Sequence, residues 1–216
     1  MSAKIHLIKK KFNKKQSDIL NDIIISRRDI RGNNFRNKKI KRKKLNQILQ
    51  AGLNAPSVGF SQPWKFIVIE DEAIKNRVYD NFKEEYEKSK KYFKNRPIYE
   101  TLKLEGIKEA PVNIAVYYKK SKKKILGQTS QKLMGRYSVV CAIQNMWLMA
   151  RSLNIGIGWV SILKPKKINK ILALSKEYEL VGYLCVGYPK EFLDTPELET
   201  LQWDKKQKFD SVVSWV

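Results

Sequence analysis

Arg27-Arg28-Asp29-Ile30-Arg31 sets three guanidinium groups and one carboxylate within five residues, directly after the apolar run Ile23-Ile24-Ile25. A guanidinium is a planar fork of donors that stays charged at any working pH, so two adjacent arginines and a third four residues after the first can clasp one phosphate from several sides. The plain alternative is a solvated cluster at a helix end, with Asp29 paired to its neighbours. A second stretch, Ala55-Pro56-Ser57-Val58-Gly59-Phe60-Ser61-Gln62-Pro63-Trp64, offers a hydroxyl at Ser57 and an amide at Gln62 beside an aromatic ring. It reads equally as a binding loop or a structural turn. In a third, Asn154 to Ser161, Gly156 and Gly158 permit close backbone approach to a flat ligand.

The elements that must position these groups follow from periodicity. Ser17 to Ile25 reads as a helix. Leu45, Ile48, Leu49, Gly52 and Leu53 fall on one helical face that Pro56 terminates. Lys65 to Ile69 has the β-branched and aromatic content of a buried strand. Glu72 to about Lys94 is a charged helix with the apolar stripe Ile74, Val78, Phe82 and Tyr86. The following segment, Leu102 to Pro111, is too apolar for a free loop and reads as a cover over something, a lid being one candidate. A strand follows from Asn113 to Tyr118. Tyr137 to Leu153 is the strongest helix, apolar nearly all round and therefore central, with Trp147 a core residue. Leu180 to Gly187 is another strand buried on both faces. Residues 189–216 form an extension with apolar anchors and little periodicity, expected to wrap a partner subunit. The alternation of helices and strands predicts one domain over 1–216, a sheet sandwiched by helices, with a basic arm at 1–16.

Composition narrows the function. The 216 residues carry a net charge of +23, with 43% hydrophobic residues, so the chain folds and is strongly basic. The excess is mostly lysine in separated runs, Lys9 to Lys15, Lys38 to Lys44 and Lys119 to Lys124, without interleaved aromatics. That is a solvated surface, not a stacking platform for nucleic acid. Two cysteines without metal-ligand spacing fit a reducing cytoplasm, and one histidine, His6, excludes a histidine-based triad or metal site. No stretch approaches a membrane span and no signal peptide is expected. Neither a G-x-G-x-x-G after the first strand nor a phosphate-binding P-loop occurs.

Taken together, Arg27 to Arg31, Ala55-Pro56-Ser57 with Gln62-Pro63-Trp64, and Gly156-Ile157-Gly158-Trp159 resemble the flavin-dependent nitroreductase superfamily. Leu102 to Ile107 with Glu109-Ala110-Pro111, Tyr137-Ser138, Cys141 to Asn145, Gly158 to Ile162, and Tyr183 to Pro189 resemble the branch that makes dimethylbenzimidazole, the lower ligand of vitamin B12. The resemblance implies an α+β fold with a central mixed sheet flanked by helices, and a homodimer binding flavin mononucleotide (FMN) at the subunit interface. It implies a reaction in which reduced FMN is the substrate and O2 the co-substrate, fragmenting to dimethylbenzimidazole and an erythrose phosphate. A flavin reductase would be the partner supplying reduced FMN. A reductase of the same fold that recycles its flavin with a nicotinamide cofactor is the alternative.

The resemblance also implies roles. Arg27, Arg28 and Arg31 would hold the phosphate and ribityl end within the Arg27 to Arg31 stretch, which includes Ile30, and Lys205 or Lys206 would supplement them. Ser57 and Gln62 would meet the polar edge of the ring, Leu104 and its neighbours would close over it, and Gly158 and Ser161 would line it, Ser161 at the reactive face. Asp29, where many nitroreductases carry serine, would take a proton from the ribityl carbon entering the new ring; otherwise it orients Arg27 or Arg31. Neighbouring guanidinium groups would keep it ionised. No metal is expected.

Overall fold

The protein is described from a computed structural model covering residues 9–216; His6 and the start of the basic arm lie outside the described residues. The chain runs α1 (Lys14–Ser26), α2 (Arg42–Leu53), β1 (Trp64–Ile69), α3 (Glu72–Lys90), β2 (Val112–Lys119), α4 (Met134–Ser152), β3 (Gly156–Val160), α5 (Pro165–Ile171), β4 (Tyr178–Gly187), α6 (Glu197–Thr200) and α7 (Phe209–Val212). Strand order is β1-β2-β4-β3.

All three pairings are antiparallel. The expected mixed sheet is therefore corrected: among the described residues, parallel pairing is confined to the isolated bridge between Asp29 and Ile157. The reason lies in the excursion between β1 and β2. Helix α3 runs out and the segment to Pro111 runs back, so β2 starts beside the point where β1 stopped, with Asn113 opposite Ile69.

The pleat sends alternate side chains to opposite faces. Ile114 and Val116 of β2 with Leu184 and Val186 of β4 pack against Leu45 and Ile48 of α2 and Ile143 and Met146 of α4. Ala115 and Tyr117 with Tyr183 and Cys185 meet Val78 and Phe82 of α3 and Ile168 of α5. The result is a three-layer sandwich. Ile143 and Met146 are fully buried, each contributing about 1.5–3 kcal/mol by leaving water, and truncating Ile143 to alanine costs about 2–5 kcal/mol once the cavity is included.

Helix α1 starts at Lys14, before the expected Ser17, because Asn13 and Gln16 form a reciprocal capping box. It buries no residue and exposes Ile19, Leu20, Ile24 and Ile25. Helix α4 packs its inner face, yet Leu133 just before it and Tyr137 and Val140 within it form a second exposed apolar stripe beside Cys141. The first half of the C-terminal extension is fastened to its own chain. Lys190 and Glu191 amides donate to Asn34 Oδ1 at 3.0 and 3.1 Å. Arg151 lies over Phe192 at 4.1 Å, and Arg96 over Trp203 at 3.5 Å. Phe209, Val212 and Trp215 remain exposed.

Candidate functional site

Residues 29–32 form an extended strut wedged between the free edge of β3 and the segment Leu102 to Ala110. On one side, the Ile30 amide donates to the Ile157 carbonyl at 3.1 Å. On the other, the Gly32 amide donates to the Glu105 carbonyl at 2.8 Å. Ile30 is buried in the core, so Asp29 and Arg31 project on the opposite face of the strut. The two glycines of β3 are explained here. A Cβ on Gly156 would collide with Ile30 Cγ1, and one on Gly158 with the Ile30 carbonyl oxygen. The close backbone approach they permit in this structure is that of Ile30.

The acid and its arginine are tied into a ring. Asp29 Oδ1 accepts the Trp159 amide at 2.9 Å, while its other oxygen forms a salt bridge with Arg31. Arg31 then donates through Nη1 to the carbonyls of Leu104 at 3.0 Å and Trp159 at 3.2 Å. The Asp29 side chain stays 32% exposed, against 17% for Arg31. Burial is the largest influence on the Asp29 carboxyl and pushes its pKa above the ordinary carboxylate value, against the downward pull of Arg31, the Trp159 amide and Arg27, with Glu197 adding an upward push. The neighbouring arginines do not win.

Arg27 and Arg28 are held differently. The Arg27 guanidinium stacks on Trp147 at 4.7 Å, and desolvation lowers its pKa. Arg28 donates to the Ile25 and Arg27 carbonyls, both at 2.7 Å, and to that of Asp194; its Nε is buried without a partner. Helix α4 anchors this turn, because Trp147 Nε1 donates to the Arg28 carbonyl at 3.3 Å and Arg151 Nε to the Ser26 carbonyl at 3.1 Å. Trp147 and Arg151 are one helical turn apart, a spacing that marks a shared target. Trp147 is core, as expected, and a platform as well.

The anticipated lid is a fixed wall. Leu102, Glu105, Ile107 and Ala110 are buried. Lys75 Nζ donates to the Ala110 carbonyl at 2.7 Å, and Asn113 Nδ2 to the Ile107 carbonyl at 2.9 Å. Glu105 Oε2 accepts the Ile107 amide at 2.7 Å, and burial raises its pKa. Leu104 is half-buried on this wall. Nothing in the alternation of apolar residues distinguished such pinning from a flap.

The remaining expected residues separate. Ser161 follows directly after β3, two residues beyond Trp159, and is exposed. Ser57 and Gln62 come together, the Gln62 amide donating to Ser57 Oγ at 3.0 Å, and Val58 docks their loop on Ser138 of α4 at 3.1 Å. Ser138 and Trp147 are nine positions apart, which places the loop about 14 Å along α4 from the arginine turn. Lys205 is exposed and, among the described residues, its only hydrogen bond runs from its amide to Asp204, so the chain does not bring it to the arginines. No group of residues suited to a metal ion occurs among the described residues.

Residues 24–188 match the model of the nitroreductase family. The chain belongs to that family. Among curated nitroreductase-like relatives, it is 37% identical over 84% of its length to the 5,6-dimethylbenzimidazole synthase of Rhodospirillum rubrum, covering 87% of that protein. It is 31% identical over 90% of its length to the synthase of Rhodobacter capsulatus, covering 95% of it. A BluB-like flavoprotein from Clostridium difficile shares the fold at a TM-score of 0.70 and 20% identity, over 91% of this chain and 98% of that one. Iodotyrosine deiodinase bound to FMN and 3-iodo-L-tyrosine shares it at 0.68 and 22%, over 91% and 98%. No helix among the described residues is long and apolar enough to cross a membrane.

Proposed function

We infer that this nitroreductase-family chain is a 5,6-dimethylbenzimidazole synthase, converting reduced FMN and O2 to 5,6-dimethylbenzimidazole and erythrose 4-phosphate. One observation carries the reading beyond kinship with the named synthases: a carboxylate, Asp29, anchored through both oxygens yet one-third exposed, beside an arginine, Arg27, that has no salt bridge among the described residues.

The residues present fit an FMN phosphate at Arg27. Its guanidinium is half-buried, laid flat on an indole, and keeps no salt bridge among the described residues. Arg28, with its buried unpartnered Nε, lies beside it. Each charge-assisted bond contributes roughly 1.5–3 kcal/mol, so losing Arg27 weakens flavin binding about 10- to 100-fold. Bound reduced FMN supplies the electrons for O2 and the carbon skeleton of the product. Asp29 takes a proton from the ribityl carbon that joins the new ring, and its raised pKa makes it a stronger base than a solvated aspartate. Ser161 offers its hydroxyl at the reactive face. The pinned wall around Leu104 keeps water out.

The site is shared between two copies. The Ser57 and Gln62 loop lies near one end of α4 and the arginine turn near the other. Antiparallel packing of two α4 helices about their middle, through the exposed Tyr137, Val140, Cys141 and Gln144, sets the loop of one subunit beside the arginines of its partner. The exposed end of the C-terminal extension, Phe209 to Trp215, clasps that partner, and Lys205 joins the phosphate from there. Because reduced FMN is consumed, a separate flavin reductase supplies it. Free Cys141 and Cys185 suit a reducing cytoplasm.

The test is to give the purified chain chemically reduced FMN and air and to look for dimethylbenzimidazole by mass. Formation of product supports the reading. Steady oxidation of NADH or NADPH with the flavin intact would instead establish a nitroreductase.

A further inference from the structure

We propose that Arg31 is a positioning residue for Asp29 and not a ligand of the flavin phosphate, the closed ring Asp29–Trp159–Arg31 fixing the carboxylate toward the reacting carbon. The inference rests on the synthase reading for its catalytic consequence but on geometry for its substance. Trp159 is used twice, its amide donating to Asp29 Oδ1 at 2.9 Å and its carbonyl accepting Arg31 Nη1 at 3.2 Å. The same Nη1 reaches the Leu104 carbonyl at 3.0 Å, while Nη2 faces the second carboxylate oxygen. Arg31 therefore bridges β3 to the wall across the strut, with Nη1 spent on two carbonyls and Nη2 turned to the carboxylate. A phosphate gripped by both terminal nitrogens would have to break these contacts.

Each oxygen of a carboxylate accepts more than one hydrogen bond. Fixing Oδ1 with the amide and Oδ2 with the guanidinium leaves lone pairs on the exposed side, aimed by contacts that cannot rotate. A lysine at position 31 keeps the charge but, as a point donor on a flexible stem, cannot hold the acid and two carbonyls in one plane. The charged groups that act on Asp29 are Arg31 and Arg27, which favour its ionised form, and Glu197 of α6, which opposes it. Removing Arg31 takes away the largest favourable charge, so Asp29 ionises at higher pH.

The experiment uses full-length Arg31→Met and Arg31→Lys. Affinity for reduced FMN is read by fluorescence, and benzimidazole formed per bound flavin in a single aerobic turnover is read across pH. In Arg31→Met, affinity stays within about threefold of the parent. The rate per bound flavin falls at least about tenfold, and the acid limb of the pH profile moves to higher pH. Arg31→Lys returns the limb toward its parental position without restoring the full rate. A 10- to 100-fold loss of affinity with an unchanged rate per bound flavin would overturn the proposal and make Arg31 a flavin ligand. The flavin-free protein supplies a second readout, the carbon-13 titration of the Asp29 carboxyl. That titration must shift upward in Arg31→Met even if the parent forms no benzimidazole, an outcome that would sink the synthase reading alone. If Arg31→Met does not fold, Arg31→Lys decides, and a parental rate and titration in that variant would refute the ring.

Discussion

Replacing Gly158 by alanine puts a methyl carbon onto the carbonyl oxygen of Ile30, a backbone atom that cannot rotate away. If the strut stays, overpacking costs about 1–3 kcal/mol. If it moves off β3, two hydrogen bonds go: the Ile30 amide to Ile157 at 3.1 Å and the Trp159 amide to Asp29 at 2.9 Å. The first contributes about 1 kcal/mol and the second, to a charged acceptor, about 1.5–3 kcal/mol. The two routes together span a loss of about 1–4 kcal/mol, which for a domain of this size lowers Tm by roughly 2–16 °C. Thermal melting with and without FMN checks the figure. The affinity for flavin falls as well, because the displaced strut carries Asp29 and ends the arginine turn. A variant melting within about 1 °C of the parent and binding flavin equally well would refute the claim that the glycines exist to admit Ile30.

Other perturbations separate the remaining roles. Ser161→Ala is expected to bind and oxidise reduced flavin without productive fragmentation, followed by flavin absorbance and product mass; unchanged yield makes Ser161 structural. Val140→Glu places a charge in the exposed stripe of α4 and should yield a monomer by sedimentation that retains flavin poorly, whereas a stable dimer would remove α4 from the interface. Arg27→Ala should weaken flavin binding about 10- to 100-fold and move the pH limb attributed to Asp29 upward by less than Arg31→Met does. Glu179 pairs with Arg136 through two bonds, at 2.6 and 2.7 Å, which hold its pKa low. A carboxylate lowered in the folded state stabilises above its unfolded pKa and ceases to as pH falls through the folded one. Glu179→Gln therefore costs at most about 1 kcal/mol near neutrality for a pair this exposed, and denaturant melts should show the deficit narrowing below the ordinary glutamate range.

The layers were legible in the sequence where burial imposes a period. Continuous apolar runs marked β2 and β4, and the i, i+3, i+4 recurrence marked α4, since a central element must be apolar on every side. Strand direction was not legible, because a helix between strands does not say at which end of the sheet the chain re-enters. Here α3 and the wall form an out-and-back path that only tertiary packing defines. At the site, the arginine cluster and its acid stood out by composition, yet their roles did not follow. Arg27 and Arg31 are the same residue four positions apart, and only the surroundings separate them: an indole under one, two carbonyls and a carboxylate around the other. The glycines of β3 signalled a close approach whose partner, Ile30, lies over a hundred residues away and could not be named from spacing. Lys75, Glu105 and Asn113 read as ordinary polar residues because their burial depends on the path of the wall.

On the synthase reading proposed above, Asp29 turns a flavin-binding site into one that takes the flavin apart. That role is tested by a single aerobic turnover of chemically reduced FMN on the parent and on Asp29→Asn, with flavin absorbance and dimethylbenzimidazole mass read from the same sample. The parent should lose flavin and gain benzimidazole in equal amount, while Asp29→Asn binds as tightly and returns only oxidised FMN. Equal benzimidazole from both proteins would contradict the assignment.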